Sequence, residues 1–308
     1  MKKFLTAIIV LAVIGLGVFW IVTMPKTLGP DVLAADYKPN LKNGEEMFNI
    51  GGCAACHTTA GQKDRLKLGG GMSFHTQFGT FYAPNISPDN ANGIGSWSEL
   101  QFINAVQRGV GAQGEHLYPA LPYTSYQRMK VADVRDLFAY IKTLPAQNNA
   151  DKPHDLSFPF NIRRTLGGWK LLYLDGKELE NDPGHDAVWN RGRYLVEGPG
   201  HCAECHSPRD MMGGIIADKR FSGGADPEGK GWIPNITPHA DGIKWSAEDM
   251  TNFLETGTTP EFDSAGGSMA EVIENTGRLT ADDRKAMAAY LVTLPPRPGK
   301  KPETAAKK

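Results

Sequence analysis

The stretch "GHCAECHSPRD" (residues 200–210) holds two cysteines separated by two residues, with a histidine directly behind the second. "GGCAACHTTA" (residues 51–60) repeats the arrangement, and these two places hold all 4 cysteines of the protein. C-x-x-C-H is the attachment signature of a c-type haem. The gap suits thioether bonds to the two vinyl groups along one porphyrin edge. The next residue then lies under the ring, where its imidazole ligates the iron. On this reading Cys53, Cys56 and His57 hold one haem c, and Cys202, Cys205 and His206 hold a second. A zinc site draws its four ligands from neighbouring pairs, and a thioredoxin-like redox pair has no use for the histidine. Two structural disulfides remain conceivable in an oxidising compartment.

Working outward from the motifs exposes an internal duplication. "PNISP" (84–88) returns as "PNITP" (234–238), "GIGSWSELQF" (93–102) as "GIKWSAEDM" (242–250), and "AYIKTLP" (139–145) as "AYLVTLP" (289–295), at an offset of 148–150 residues. The chain therefore divides into a leader (1–28), a first domain (29–147), an interdomain segment (148–186), a second domain of the same design (187–297) and a tail (298–308).

Each copy reads as helices separated by long loops, with no convincing strand-type alternation. A short helix, "NGEEMFNI" or "RGRYLVEG", leads into the haem motif. A second helix begins at Ser98 or Ser246, where Gln101 and Asp249 complete capping-box patterns. A last helix carries Val134, Leu137, Phe138 and Ile141, or starts at Thr280 and carries Met287, Tyr290, Leu291 and Leu294. The expected fold is all-α: two tandem class I cytochrome c domains in which a haem supplies apolar mass that a small domain lacks. Trp97, Trp245, Tyr140 and Tyr290 are expected to pack around the haems. The "PNISP" and "PNITP" segments are expected to form rigid turns, with Asn85 and Asn235 as alternative partners for a haem propionate.

Lys2 and Lys3 precede 21 uncharged residues, Phe4–Met24. About 20 apolar residues cross a bilayer as a helix, whereas the core of a signal peptide is shorter. The expectation is an uncleaved anchor in a bacterial inner membrane, its N-terminus cytoplasmic by the positive-inside bias, and both haem domains in the periplasm. The formal net charge of −1 gives no sign of a nucleic-acid partner. The tail "RPGKKPETAAKK" has the composition of a disordered segment.

A sixth iron ligand in such domains is commonly a methionine in the loop before the last helix. Met269, in "GGSMAEVIENTGRLT", is the candidate for the second haem, 63 residues after His206. In the first copy the matching position is Leu121, which cannot bind iron. Met129 is the nearest sulfur, although its repeat partner Leu279 reads as core. Met72, His75 and His116 are further donors, and an open iron is the remaining alternative.

With these residues in view, the sequence resembles the cytochrome c subunits of bacterial membrane-bound dehydrogenases, such as those of alcohol and gluconate dehydrogenases. The resemblance rests on "FGTFYAPNISPD", "HLYPALPYTSY" and "NRGRYLVEGPGHCAECHSPRD" together with the segments already quoted, and it covers residues 41–296. It implies electron transfer rather than substrate chemistry. The donor would be a periplasmic dehydrogenase subunit or other redox protein, and the acceptor quinone, a soluble cytochrome or a terminal oxidase. Subunits of that family commonly carry three haem motifs and show methionine where this chain has Leu121. The rival reading is a peroxidase-type haem enzyme working at an open first iron beside His75, Glu115 and His116. The segment 157–177, "SFPFNIRRTLGGWKLLYLDGK", is unexplained by the duplication. It reads as interdomain packing, or as a docking surface for a partner or the membrane.

Overall fold

The computed structural model describes residues 1–59, 61–226, 229 and 231–299, so all but the start of the expected disordered tail lies outside the described residues. The chain opens with α1 (Lys2–Val22), continues through α2 (Leu41–Ile50) and α3 (Cys53–His57), and then forms the hairpin β1 (Ser73–Thr76) and β2 (Gly79–Tyr82). Next come α4 (Glu99–Arg108), α5 (Tyr123–Tyr126), α6 (Val131–Ile141) and the short strand β3 (Asp155–Leu156). The segment between the repeats carries α7 (Leu166–Tyr173). Then α8 (Ala187–Glu197), α9 (Cys202–His206), β4 (Gly224–Ala225), β5 (Trp232–Ile233), α10 (Ala247–Thr256), α11 (Ser268–Thr276) and α12 (Ala281–Leu291) repeat the plan of the first half.

The helix starts follow local chemistry. Ser98 and Ser246 each close a reciprocal capping box, with Gln101 and Asp249 reaching back to the cap backbone. Thr280 accepts from the Asp283 amide at the start of α12. Gly109 and Gly257, at φ +58° and +74°, end α4 and α10 in the left-handed conformation.

The fold is mostly helical, but it is not free of strands. β1 and β2 pair antiparallel from Ser73↔Tyr82 to Thr76↔Gly79, and β3 extends the sheet beyond β2. Strands of four residues are too short for alternation to stand out from the surrounding loop. A second departure is α11: the stretch expected as loop around Met269 is a helix, entered through Gly267 at φ +58°.

Within each half, the helix before the haem motif crosses the last helix, α2 over α6 and α8 over α12. A glycine makes each crossing close. A Cβ on Gly44 would lie 2.2 Å from the Asp136 carbonyl oxygen and 2.8 Å from Tyr140 Cβ, and one on Gly192 would lie 1.8 Å from the Ala286 carbonyl. Tyr140 therefore stands at a helix crossing, where its ring tilts against Phe48 at 5.4 Å. Tyr290, on α12, packs edge-on against Trp189 of α8 at 5.1 Å. These contacts give both tyrosines a role in helix packing beyond the one expected around the haem.

Alanine at Gly44 or Gly192 is expected to destabilise the protein. Crowding two backbones costs about 1–3 kcal/mol, against the gain of ~1 kcal/mol that alanine brings to a helix interior. A lowered urea midpoint for each variant, followed by far-ultraviolet circular dichroism, checks this. An unchanged or raised midpoint would show that the crossings have slack.

Candidate haem sites

Each C-x-x-C-H motif is a one-turn helix entered through a left-handed residue, Gly52 at φ +61° or His201 at φ +39°. A helix turn brings residues three and four apart onto one face. Cys53, Cys56 and His57 therefore share a side of α3, and Cys202, Cys205 and His206 share a side of α9. Burial, reinforced by the neighbouring Cys56 or Cys205, pushes the thiols of Cys53 and Cys202 up to about 12.

The imidazoles are held by the turns that recur with the repeat. His57 Nδ1 lies 2.8 Å from the Pro84 carbonyl oxygen, and His206 Nδ1 lies 2.9 Å from that of Pro234. A carbonyl only accepts, so Nδ1 carries the hydrogen and Nε2 keeps its lone pair. Desolvation by the surrounding protein holds both imidazoles below their ordinary pKa, against the opposing pull of the carbonyl bond. A neutral imidazole with a free Nε2 is the form that ligates iron. The donor set thus fits a haem in both halves.

Asn85 and Asn235 are spent on the turns themselves. Asn85 Nδ2 donates to the carbonyls of Gln147 (2.6 Å) and Asn149 (3.0 Å), and its Oδ1 accepts from the Ser87 amide. Asn235 donates to the Arg297 carbonyl at 2.8 Å and accepts from the Thr237 amide. Both amide hydrogens of Asn85 and one of Asn235 thus serve the turns. Ile236, Ile243, Trp245, Met250, Leu291 and Val292 line an apolar hollow in the second half, where Trp245 was expected to pack against a haem. Among the described residues, no group of three or more His, Cys, Asp or Glu is gathered together.

The two motifs adjoin. His201, just before Cys202, has Nε2 3.4 Å from the Gly51 carbonyl, and Tyr126 donates to the same carbonyl at 2.8 Å. The Tyr126 and His201 rings meet edge to face at 5.5 Å. Glu204, inside the second motif, accepts from Thr124 and Ser125 of the first half at 2.6 and 2.7 Å and pairs with Arg209. Burial alone would raise its pKa. Arg209 and the two hydroxyls more than offset this and hold it low. Arg65 bridges the halves again, donating to Asn49 (2.9 Å) and Asn275 (2.6 Å).

The candidate sixth ligands are differently placed. Met269 is half-buried in the first turn of α11, and its repeat partner Leu121 is likewise half-buried. Met129 is 1% exposed and its repeat partner Leu279 is 4% exposed, both within the apolar core. The Met129 carbonyl also accepts from Gln107 Nε2 at 2.6 Å. Met72 is half-buried. His75 is exposed on β1, with Nδ1 3.1 Å from Thr80 Oγ1. His116 is buried, with Nε2 2.9 Å from the Thr23 carbonyl below α1. Glu115 turns back on its own loop, accepting from the Gln113 amide at 3.1 Å. His116 Nε2 is thus engaged at Thr23, and Glu115 within its own loop.

Sequence reasoning marked the two proline turns but missed that their carbonyls orient the imidazoles. The available signal was their recurrence 27 and 28 residues after the histidines. Nothing local marked Glu204 or Tyr126, whose partners lie 79 and 75 residues away.

The cytochrome c family model matches residues 41–145. The chain is 46% identical over 300 residues to a diheme cytochrome c-type protein of Cereibacter sphaeroides, covering 96% of this chain and 99% of that one. It is 38% identical over 269 residues to the fructose dehydrogenase cytochrome subunit of Gluconobacter japonicus, covering 85% of this chain and 54% of that one. It is 36% identical over 273 residues to the cytochrome c subunit of alcohol dehydrogenase (quinone) of Gluconacetobacter polyoxogenes, covering 84% and 56%. The chain thus spans about half the length of these two subunits.

Replacing Asn85 with alanine strips the partner from the buried Ser87 amide in the turn below His57, and from the Gln147 and Asn149 carbonyls, a loss of about 1–3 kcal/mol. A lower melting temperature for Asn85→Ala, followed by haem absorbance, is the expected outcome. Unchanged melting would show that the turn stands without its side chain.

Proposed function

Because the chain belongs to the cytochrome c family, among its dihaem members, we propose that it carries electrons from a periplasmic dehydrogenase towards the respiratory chain. Two covalently bound haem c groups are its cofactors, and they supply the one-electron chemistry. The observation that carries the reading is the contact of the two attachment motifs through Gly51, Tyr126 and His201. Adjoining redox centres suit relay better than separate substrate chemistry. Cys53, Cys56 and His57 are assigned to the first haem, and Cys202, Cys205 and His206 to the second, within tandem domains spanning 29–147 and 187–297. The shared helix faces and the free Nε2 of each histidine support this assignment.

The chain's own residues prepare these sites in three ways. The Pro84 and Pro234 carbonyls hold each imidazole in the ligating tautomer. The left-handed entries at Gly52 and His201 set the attachment turns side by side. Apolar side chains of both halves pack against Cys53 and Cys202.

α1 is 21 residues long, with a mean hydropathy of 2.8 over its most apolar window and none of it buried. Its composition supports a single span of the inner membrane, with the haem domains on the periplasmic side. Met269 is proposed as the second haem's thioether ligand. At the first haem Met129 would have to leave its core to bind, and Leu121 favours a second reading, peroxidase-type chemistry at an open iron.

Haem counting tests the assignment of the cysteines. The full-length protein should carry two haem masses that survive denaturation, and the double variant Cys202→Ala, Cys205→Ala should carry one. A variant that still carries two would sink the assignment.

Ligand binding separates carrier from enzyme. Ferric haem with a methionine ligand shows a weak near-infrared band, and Met269→Ala should remove the second haem's share and lower its potential. If Met129 binds the first iron, Met129→Ala should remove the rest of the band, and wild-type protein should resist carbon monoxide. Rapid carbon monoxide binding at one haem, together with peroxide turnover, would replace the carrier reading with the enzymatic one.

A further inference from the structure

The segment between the repeats exposes large apolar side chains: Phe158 (79%), Phe160, Ile162, Leu171 and Leu172 (69%). Beyond residue 24 the described residues include 10 exposed large hydrophobic side chains, namely these five, Leu41, Val188, Met211, Met212 and Phe262. Met211 and Met212 join the same region, because Trp169 Nε1 donates to the Met212 carbonyl at 2.9 Å. Scattered apolar residues are ordinary on a soluble surface, but a gathered set marks a contact.

What it contacts follows from its position beside the end of α1. Arg164 Nε donates to Thr23 Oγ1 at 2.9 Å, a second guanidinium nitrogen donates to the Trp20 carbonyl, and the guanidinium lies 4.1 Å from the Trp20 ring centroid. Gly167 backs directly onto Thr23, since a Cβ there would lie 2.3 Å from the Thr23 carbonyl oxygen. Trp169 and Lys170 face inward on α7, Lys170 donating to the Arg108 and Gly109 carbonyls at 2.8 and 2.6 Å. Helical spacing then turns Gly168, Leu171 and Leu172 outward, and nothing lies within 4 Å of a Cβ built on Gly168. An apolar face flanked by Arg163, Arg164 and Trp20 has the aromatic and basic make-up of a membrane–water boundary.

We propose that residues 158–172, with Met211 and Met212, rest on the outer leaflet of the bilayer that α1 crosses. The proposal rests on the reading of α1 as a span. The occupant is the boundary between lipid headgroups and acyl chains. A single helix leaves a domain free to tilt, and a second contact beside its exit fixes the pose of the haem pair above the membrane.

Photo-crosslinking tests this on the full-length holoprotein in phosphatidylcholine–phosphatidylglycerol vesicles. p-Benzoylphenylalanine is introduced singly in place of Val18, Phe158, Leu172 or Phe262, and phospholipid adducts are read by peptide mass spectrometry. Adducts are expected at positions 18, 158 and 172, several-fold above any at Phe262, which is 91% exposed on the loop between α10 and α11. Adducts at 18 alone, with 158 and 172 no richer than 262, would overturn the membrane contact while leaving the span intact. Absence of adducts at 18 as well would remove the span and the proposed contact together.

Discussion

A hydrogen bond between an imidazole Nδ1 and a proline carbonyl sets the chemistry of each half, and much of the fold exists to hold it. The acceptors lie 27 and 28 residues beyond their histidines. The chain between must therefore return the proline to the motif. In the first half it does so through the β1–β2 hairpin and the bond from the Gly70 amide to the His57 carbonyl (2.7 Å). In the second half the Gly223 amide meets the His206 carbonyl in the same way, at 2.8 Å. Asn85 and Asn235 then fasten each turn to the chain that follows the last helix. The ligand tautomer is thus a property of tertiary structure, although the ligand itself is named by five residues.

The interface between the halves depends on polar groups that are satisfied only when both are present. Glu204 is buried inside the second motif, where an unpaired carboxylate would cost far more than it contributes. Thr124, Ser125 and Arg209 supply its donors, two of them from the first half. The Tyr194 hydroxyl likewise donates to Asp133 and accepts from the Lys130 amide of the opposite half. Such an arrangement resists sliding, because each shift orphans a buried group. It holds the Gly51–His201 contact in register.

What the sequence revealed and what it hid divide along the same line. The haem motifs, the repeat, both capping boxes and the apolar faces of α6 and α12 are written in neighbouring residues, and each was readable there. α11 was hidden because its entry depends on Gly267 at positive φ, which "GGSM" does not announce. The hairpin was hidden by strands of only four residues. Gly44 and Gly192 occupy matching positions in the repeat, yet a glycine inside a helix reads as a weakness until the crossing backbone appears. The Met129 side chain lies in the apolar core, as its repeat partner Leu279 does, so its role as a ligand is not legible from position alone.

On the proposed topology, the junction below α1 links these arrangements to the membrane. Thr23 is 3% exposed, its hydroxyl donates to the Phe19 carbonyl, and its own carbonyl meets His116 Nε2 at 2.9 Å. The C-cap residue of an otherwise uncovered helix is therefore built into the first half. Burial lowers the His116 pKa, with the Thr23 bond opposing and Lys170 and Arg164 adding to the fall, so the joint is held by a neutral ring. Arg163 adds a bond to the His116 carbonyl at 3.0 Å, which ties the same joint to the segment between the repeats. A rigid joint matters for a relay, because electron transfer falls steeply with distance and a swivelling domain would spend most of its time in unproductive poses. α1, the first half and the intervening segment meet at one clamp, and the second half is locked to the first through Glu204. On the proposed topology, the orientation of α1 in the bilayer is thereby transmitted to both haem motifs.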